Sequence, residues 1–111
     1  MNQKLLNLLG LATKAGFVVS GEDSVIDAIR RNKAKIVFLA SDSSSSSIDK
    51  FSKKCFFYKI ELNTSLNSEE ISHSIGKTRK VIAITDTGFY KLIKKSIGGV
   101  ENEVKRDCWN N

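Results

Sequence analysis

The chain has 111 residues, 41% of them hydrophobic and 27% charged, which suits one domain that buries a core without disulfides or bound metal. No apolar run approaches the roughly 20 residues that span a bilayer, and the first residues lack a secretory signal pattern, so we expect a cytoplasmic protein with no membrane segment. Lysine and arginine total 18 against 12 acidic residues, and the net charge of +6 favours polyanionic partners, with a solvated lysine-rich surface as the alternative.

The chain begins with a predicted helix and a short strand. Leucines recur at helical spacing over residues 3–14, and Gly16 stands where a helix stop is expected. Residues 17–20 then predict a brief strand.

A second helix and a buried strand follow. Helix 22–31 can be capped by Ser20 or Gly21, with Asp23 facing the N–H groups of its first turn. Residues 36–40 are apolar at every position and predict a central strand that is covered on both faces.

The middle of the chain starts with serines. Residues 41–47 predict a surface loop, and Ser46 or Ser47 can cap a helix that runs through Lys54. The aromatic run 55–60 predicts a third strand.

The last third repeats the alternation of helix and strand. The expected elements are a helix over 68–75, a basic turn over 76–80, a doubly buried strand over 81–85 and a helix from Asp86 or Thr87 to Ile97, with Gly98 and Gly99 as its stop. The alternation predicts a three-layer α/β/α sandwich. We expect one domain over 1–99 and a polar tail over 100–111.

The chain offers little for metal binding or catalysis. Cys55 and Cys108 are too far apart for a Cys-x-x-Cys motif, and His73, the one histidine, is near neither. Cys55 is expected in the core strand and Cys108 in the tail. There is no Gly-x-Ser-x-Gly elbow, so we expect no cofactor, no metal and no enzyme activity.

Two segments, 14–42 and 75–89, resemble the kink-turn-binding ribosomal protein superfamily L7Ae/L30e, and especially its small bacterial YlxQ-type members. The resemblance covers about residues 5–97. It implies a small mixed four-stranded sheet between helical layers. It also implies a noncatalytic protein that binds structured RNA in a ribosome- or translation-related setting. We expect a monomer.

In the superfamily a Gly-x-Asn-Glu-x-x-Lys pattern at the start of the second helix contacts the sheared G·A pairs of a kink-turn. This chain keeps the glycine as Gly21, and Asp23, Ser24 and Asp27 stand at the Asn, Glu and Lys positions. An ionised aspartate accepts hydrogen bonds but donates none. The alternative role of Glu22 and Asp23 is to compensate the helix dipole and form a capping box with Ser20.

The turn before the last strand is the second candidate RNA surface. In the superfamily the corresponding loop packs against a flipped-out nucleotide, and Ile75 and Thr78 occupy suitable positions for that contact. Cations beside Gly76 can bind phosphates, with a solvated loop as the alternative. The basic residues concerned are Lys77, Arg79 and Lys80, together with Lys14, which the family arrangement brings near Gly21 and this loop.

A second functional class is also open. A protein-interaction module that kept the fold but lost kink-turn recognition is the alternative, and Asp23, Ser24 and Asp27 would be consistent with that change. Its contact would lie in the serine loop 41–47 or in the polar tail, and ribosome-associated proteins are candidate partners.

Overall fold

A computed structural model describes residues 3–98. Within them no helix is long and apolar enough to cross a membrane. The expected tail over 100–111, with Cys108, and the expected helix stop at Gly99 lie outside this range. The elements are α1 (Gln3–Lys14), β1 (Val18–Ser20), α2 (Glu22–Arg30), β2 (Ile36–Leu39), α3 (Ser45–Tyr58), β3 (Glu61–Asn63), α4 (Ser68–Ile75), β4 (Val81–Ile84) and α5 (Thr87–Gly98).

The four strands form one mixed sheet in the order β1-β4-β2-β3. Strand β4 runs antiparallel to both of its neighbours, β1 and β2, whereas β2 and β3 are parallel. The mixed four-stranded sheet implied by the family resemblance is therefore confirmed.

The two central strands, β2 and β4, are buried at every position and send alternate side chains to opposite faces. Ile36 and Phe38 pack with residues of α1, α4 and α5. Val37 and Leu39 pack with residues of α2 and α3 on the other face. Helices therefore cover both faces, which confirms the predicted α/β/α sandwich.

The predicted strand over 55–60 is wrong. Helix α3 continues to Tyr58, and the third strand is β3, which begins at Glu61. Phe51 and Cys55 are buried four residues apart, whereas Phe56 is 86% exposed, so burial follows the helical period. Cys55 is a core residue as expected, but on a helix, and burial raises the pKa of its thiol to about 11.

The helix caps differ from two of the expectations. Ser44, rather than Ser46 or Ser47, caps α3, and its side chain accepts a hydrogen bond from the Ser47 N–H at 3.2 Å. Gly21, one of the two expected caps, is the N-cap of α2, but no side chain caps this helix, so the alternative of a capping box with Ser20 is wrong.

A cap at the last helix agrees with the expectation. Asp86 Oδ2 accepts a hydrogen bond from the Phe89 N–H at 2.9 Å, at the start of α5.

The contrast between the phenylalanines of α3 gives a stability prediction. Phe51→Ala should lower the free energy of unfolding by about 3–5 kcal/mol, because it leaves a cavity between α3 and the sheet. Phe56→Ala removes the same side chain at an exposed position, and should change the free energy of unfolding by less than about 0.5 kcal/mol. Urea denaturation of both variants checks this, and equal losses would contradict the helical burial pattern.

Candidate functional site

One end of the sheet brings both sequence-predicted regions together. The Gly21 N–H donates to the Val81 carbonyl at 3.0 Å, and the Ala40 N–H donates to the Lys80 carbonyl at 2.8 Å. These bonds continue the antiparallel pairing of β4 with β1 and β2 past the strand ends. The first turn of α2 and the loop 76–80 therefore lie side by side, and we call residues 21–24, 27 and 76–80 the candidate surface.

The first turn of α2 has free backbone donors beside a cation. Gly21 adopts φ 93° and ψ 150°, a conformation that favours glycine, and no side chain caps the helix. The first N–H groups of a helix have no partner within it and carry the positive end of its dipole. A Cβ at Gly21 would lie 3.8 Å from Arg79 Nε, so the guanidinium of Arg79 lies next to this helix end.

The backbone of the loop 76–80 is anchored to α4. Gly76 ends α4 in the left-handed conformation and donates its N–H to the Ser72 carbonyl at 2.9 Å. The Ser72 hydroxyl accepts from the Arg79 N–H and donates to the Arg79 carbonyl, both at 3.0 Å. Because the backbone is held in this way, the loop presents the exposed side chains of Lys77, Arg79 and Lys80 from a fixed base.

The three α2 residues that the family resemblance places at its Asn, Glu and Lys positions share the exposed side of the helix. Asp23, Ser24 and Asp27 are exposed, whereas the intervening Val25 is buried. Asp27 forms an ion pair with Arg31 at 3.1 Å, one turn further along the helix. The negative charge at the position of the family's lysine is therefore partly balanced.

Glu22 also has a cationic partner. Its carboxylate forms an ion pair at 3.0 Å with Lys50 of α3, the helix next to α2. Both side chains are close to half exposed, and such surface pairs contribute only about 0–1 kcal/mol. The pair therefore draws Glu22 toward α3 without fixing it strongly.

Of two further predicted site residues, Ile75 is buried and Lys14 is exposed. Ile75 is only 6% exposed and packs in the core beside α1, so its side chain supports the loop from below and is not presented to a nucleotide. Lys14 lines a groove between α1 and α4 together with His73 and Ser74. Its neighbour Ser74 lies two residues before Gly76, and Gly21 is not part of that groove.

Sequence reasoning missed the anchoring role of Asp42. Its carboxylate accepts hydrogen bonds from the Ser68 hydroxyl at 2.7 Å and the Ser68 N–H at 2.9 Å, which ties the β2–α3 loop to the start of α4. The Ser68 side-chain and backbone bonds, helped by the charge of Lys80, hold the pKa of Asp42 below its ordinary 3.8. The one signal in the sequence was an acid within a serine run.

The remaining basic residues near α2 lie at the other end of the sheet. The Lys35 N–H donates to the carbonyl of Ile84, the last residue of β4, at 2.7 Å. Arg30, Arg31 and Lys33 precede it at the end of α2. The sheet length therefore separates Lys35 from the loop 76–80, whereas Arg31 reaches Asp27 of the candidate surface.

The aromatic residues of α5 have structural contacts. Phe89 packs against Phe17 with ring centroids 5.8 Å apart and is partly buried against the core. The Tyr90 hydroxyl donates to Glu61 at 2.8 Å. Burial and this carboxylate raise the pKa of Tyr90 to about 12.

No group of three or more histidine, cysteine or acidic side chains suited to a metal ion occurs in the described part of the chain.

Comparisons of the sequence with known proteins show the family. The model of the ribosomal protein L7Ae/L30e/S12e/Gadd45 family matches residues 3–94. The chain belongs to this family. It is 43% identical over 97 residues to "RNA-binding protein YlxQ" of Enterococcus faecium, covering 87% of this chain and 94% of that protein. It is 47% identical over 83 residues to "RNA-binding protein YlxQ" of Bacillus subtilis, covering 74% and 83%. It is therefore a YlxQ-type member.

Solved structures of this fold include a protein of unknown function from Bacillus halodurans, with a TM-score of 0.81 and 34% identity over 85% of this chain and 96% of that one. The "15.5kD RNA binding protein" of Giardia lamblia has a TM-score of 0.73 at 17% identity, over 89% and 86%, and supports the fold.

The two hydrogen bonds between the Ser72 hydroxyl and the Arg79 backbone give a prediction for the loop 76–80. Ser72→Ala removes two hydrogen bonds to Arg79 and should cost about 1–2 kcal/mol of unfolding free energy. Hydrogen exchange at the Arg79 amide should become faster. Ser74→Ala is a matched control, because the Ser74 hydroxyl bonds within α4, to the Glu70 carbonyl. If Arg79 exchanges equally fast in both variants, Ser72 is not the anchor.

The Asp42 contact predicts a pH dependence. A carboxyl whose pKa is lower in the folded state adds stability above its unfolded pKa of about 3.9, and this is lost as the pH falls through the folded pKa. An NMR titration of the Asp42 carboxyl carbon should give a midpoint below 3.8, and Ser68→Ala should raise it. The same midpoint in both proteins would contradict the hydrogen bonds as the cause.

Proposed function

We propose that this chain is a noncatalytic cytoplasmic protein that binds structured RNA at the candidate surface, in a ribosome- or translation-related complex. The observation that carries the proposal is the position of Arg79 beside Gly21, at a helix N-terminus that no side chain caps. The relatives named as RNA-binding proteins support the same partner.

The first turn of α2 supplies donors for RNA oxygens. Its N–H groups and the positive helix end favour an anionic or carbonyl oxygen, and Gly21 lets the nucleic acid approach the backbone closely. The Ser24 hydroxyl adds a further donor, and Asp23 and Asp27 can accept hydrogen bonds from exocyclic amino groups of bases. This end of the surface therefore suits base edges as well as phosphates.

The loop 76–80 supplies the phosphate contacts. Lys77, Arg79 and Lys80 bring three positive charges to an exposed segment, and Thr78 contributes a hydroxyl and a methyl group beside them. Irregular RNA is recognised through splayed bases and backbone shape. A sharp bend in the RNA backbone would let one strand contact α2 and the other contact the loop.

We propose a kink-turn-like motif as the RNA, because the chain keeps the family's glycine at the start of α2. The test is a titration of a standard kink-turn RNA and of a matched duplex without the bulge, each at two salt concentrations. Preference for the kink-turn at both salts supports specific recognition. Equal and steeply salt-dependent binding would reduce the function to charge attraction, and binding to neither RNA would favour the protein-interaction alternative.

The loop should carry a measurable part of the affinity. The triple variant Lys77→Ala, Arg79→Ala and Lys80→Ala should weaken RNA binding and lower its salt slope by about one for each phosphate contact removed. A matched control removes the same charge elsewhere, with Lys33→Ala, Lys91→Ala and Lys95→Ala. If both triple variants lose affinity equally, net charge and not the loop determines binding.

A further inference from the structure

The C-terminal part of α3 exposes a large aromatic ring among cations. Phe57 is 76% exposed. It lines an open groove of about 480 Å³ whose other lining residues are Lys50, Lys53, Lys54 and Tyr58, and we call this feature the α3 groove. The residues recur at helical spacing along α3, so lysines and aromatic rings share one side of the helix.

The Phe57 ring has a fixed neighbour. Tyr58 lies edge-on to it, with ring centroids 5.0 Å apart and an interplanar angle of 80°. Tyr58 is itself partly buried against the core between α2, α3 and the sheet. One side of the Phe57 ring is therefore braced while most of its surface remains open to a flat ligand.

The lysines of the α3 groove are held by weak contacts. Lys50 pairs with Glu22 at 3.0 Å, and Lys53 pairs with Asp49 at 3.1 Å. All four side chains are at least 45% exposed, and surface pairs of this kind are worth about 0–1 kcal/mol. A phosphate can replace either carboxylate at small cost, and Lys54 adds a third cation to the lining.

The α3 groove begins next to the candidate surface. Lys50 reaches Glu22, which follows Gly21 in the first turn of α2. Phe57 lies seven residues beyond Lys50, or about 10 Å along the helix. A strand that leaves the candidate surface along α3 therefore passes the lysines first and the aromatic ring afterwards.

We propose that the α3 groove binds unpaired nucleotides that extend from the structured RNA, with a base stacked on Phe57 and phosphates beside Lys50 and Lys54. The proposal rests on the proposed function, because the structured part of the RNA occupies the candidate surface. Exposed aromatic rings stack unpaired bases with little sequence preference, and flanking cations hold the backbone. A duplex would not suit this groove, because its bases are covered by their neighbours.

The test compares kink-turn RNA with a blunt end and the same RNA with an unpaired uridine extension, carried on each strand in turn. The extension on one strand should strengthen binding by about fivefold or more. Phe57→Ala should abolish that gain while leaving the blunt RNA's affinity unchanged, and Phe57→Trp should retain it. Phe56→Ala is the matched control, because Phe56 is even more exposed than Phe57 but does not line the α3 groove.

The outcomes separate the two proposals. Failure of the wild-type protein to bind the blunt RNA overturns the proposed function. Normal binding of the blunt RNA with no gain from either extension, or a gain that survives Phe57→Ala, overturns only the α3 groove. Sedimentation supplies another outcome: a dimer that Phe57→Ala dissociates, with the extension gain unchanged, would assign the ring to self-association and also overturn the inference.

Discussion

The antiparallel pairing of β4 with both β1 and β2 determines what meets at the candidate surface. Because β4 is antiparallel to both neighbours, it begins at the end of the sheet where β1 and β2 end. The residues that precede β4 therefore lie beside the residues that follow β1 and β2. Gly21 and Ala40 therefore donate to the consecutive carbonyls of Val81 and Lys80. This strand is also buried on both faces, so a change in its register would expose the core. The core and the site thus depend on the same register.

Ion pairs in the structure reduce the negative charge that the acidic residues of α2 present to a ligand. In the sequence, Glu22, Asp23 and Asp27 all place negative charge at the proposed RNA-binding surface. The structure gives Glu22 a lysine and Asp27 an arginine, which leaves Asp23 closest to the uncapped first turn without such an ion pair among the described residues. An acid there stabilises the helix end.

The layers of the fold were predictable from the sequence, whereas one local element, the strand expected over 55–60, was predicted wrongly. Continuous apolar runs identified β2 and β4, because burial on both faces leaves no polar position in either strand. The aromatic run 55–60 suggested a strand because its residue types favour β structure. Helical spacing between Phe51 and Cys55 was the better signal. The helix ends at Tyr58, and its C-cap residue Lys59 adopts a left-handed φ of 59° without being glycine, so no stop signal was visible in the sequence.

The charges of the candidate surface were predictable from the sequence, but the hydrogen bonds that hold its loop were not. Lys77, Arg79 and Lys80 are evident as a basic run, whereas Ser72 looks like one serine among many until its hydroxyl is seen to bridge the Arg79 backbone. Helix α4 has two functions, and only one of them is visible as an apolar pattern in the sequence. Its apolar side fixes the helix in the core, and Ser72 on another side fixes the loop. Loop side chains can therefore be replaced, and the proposed RNA contacts changed, while the backbone that presents them stays in place.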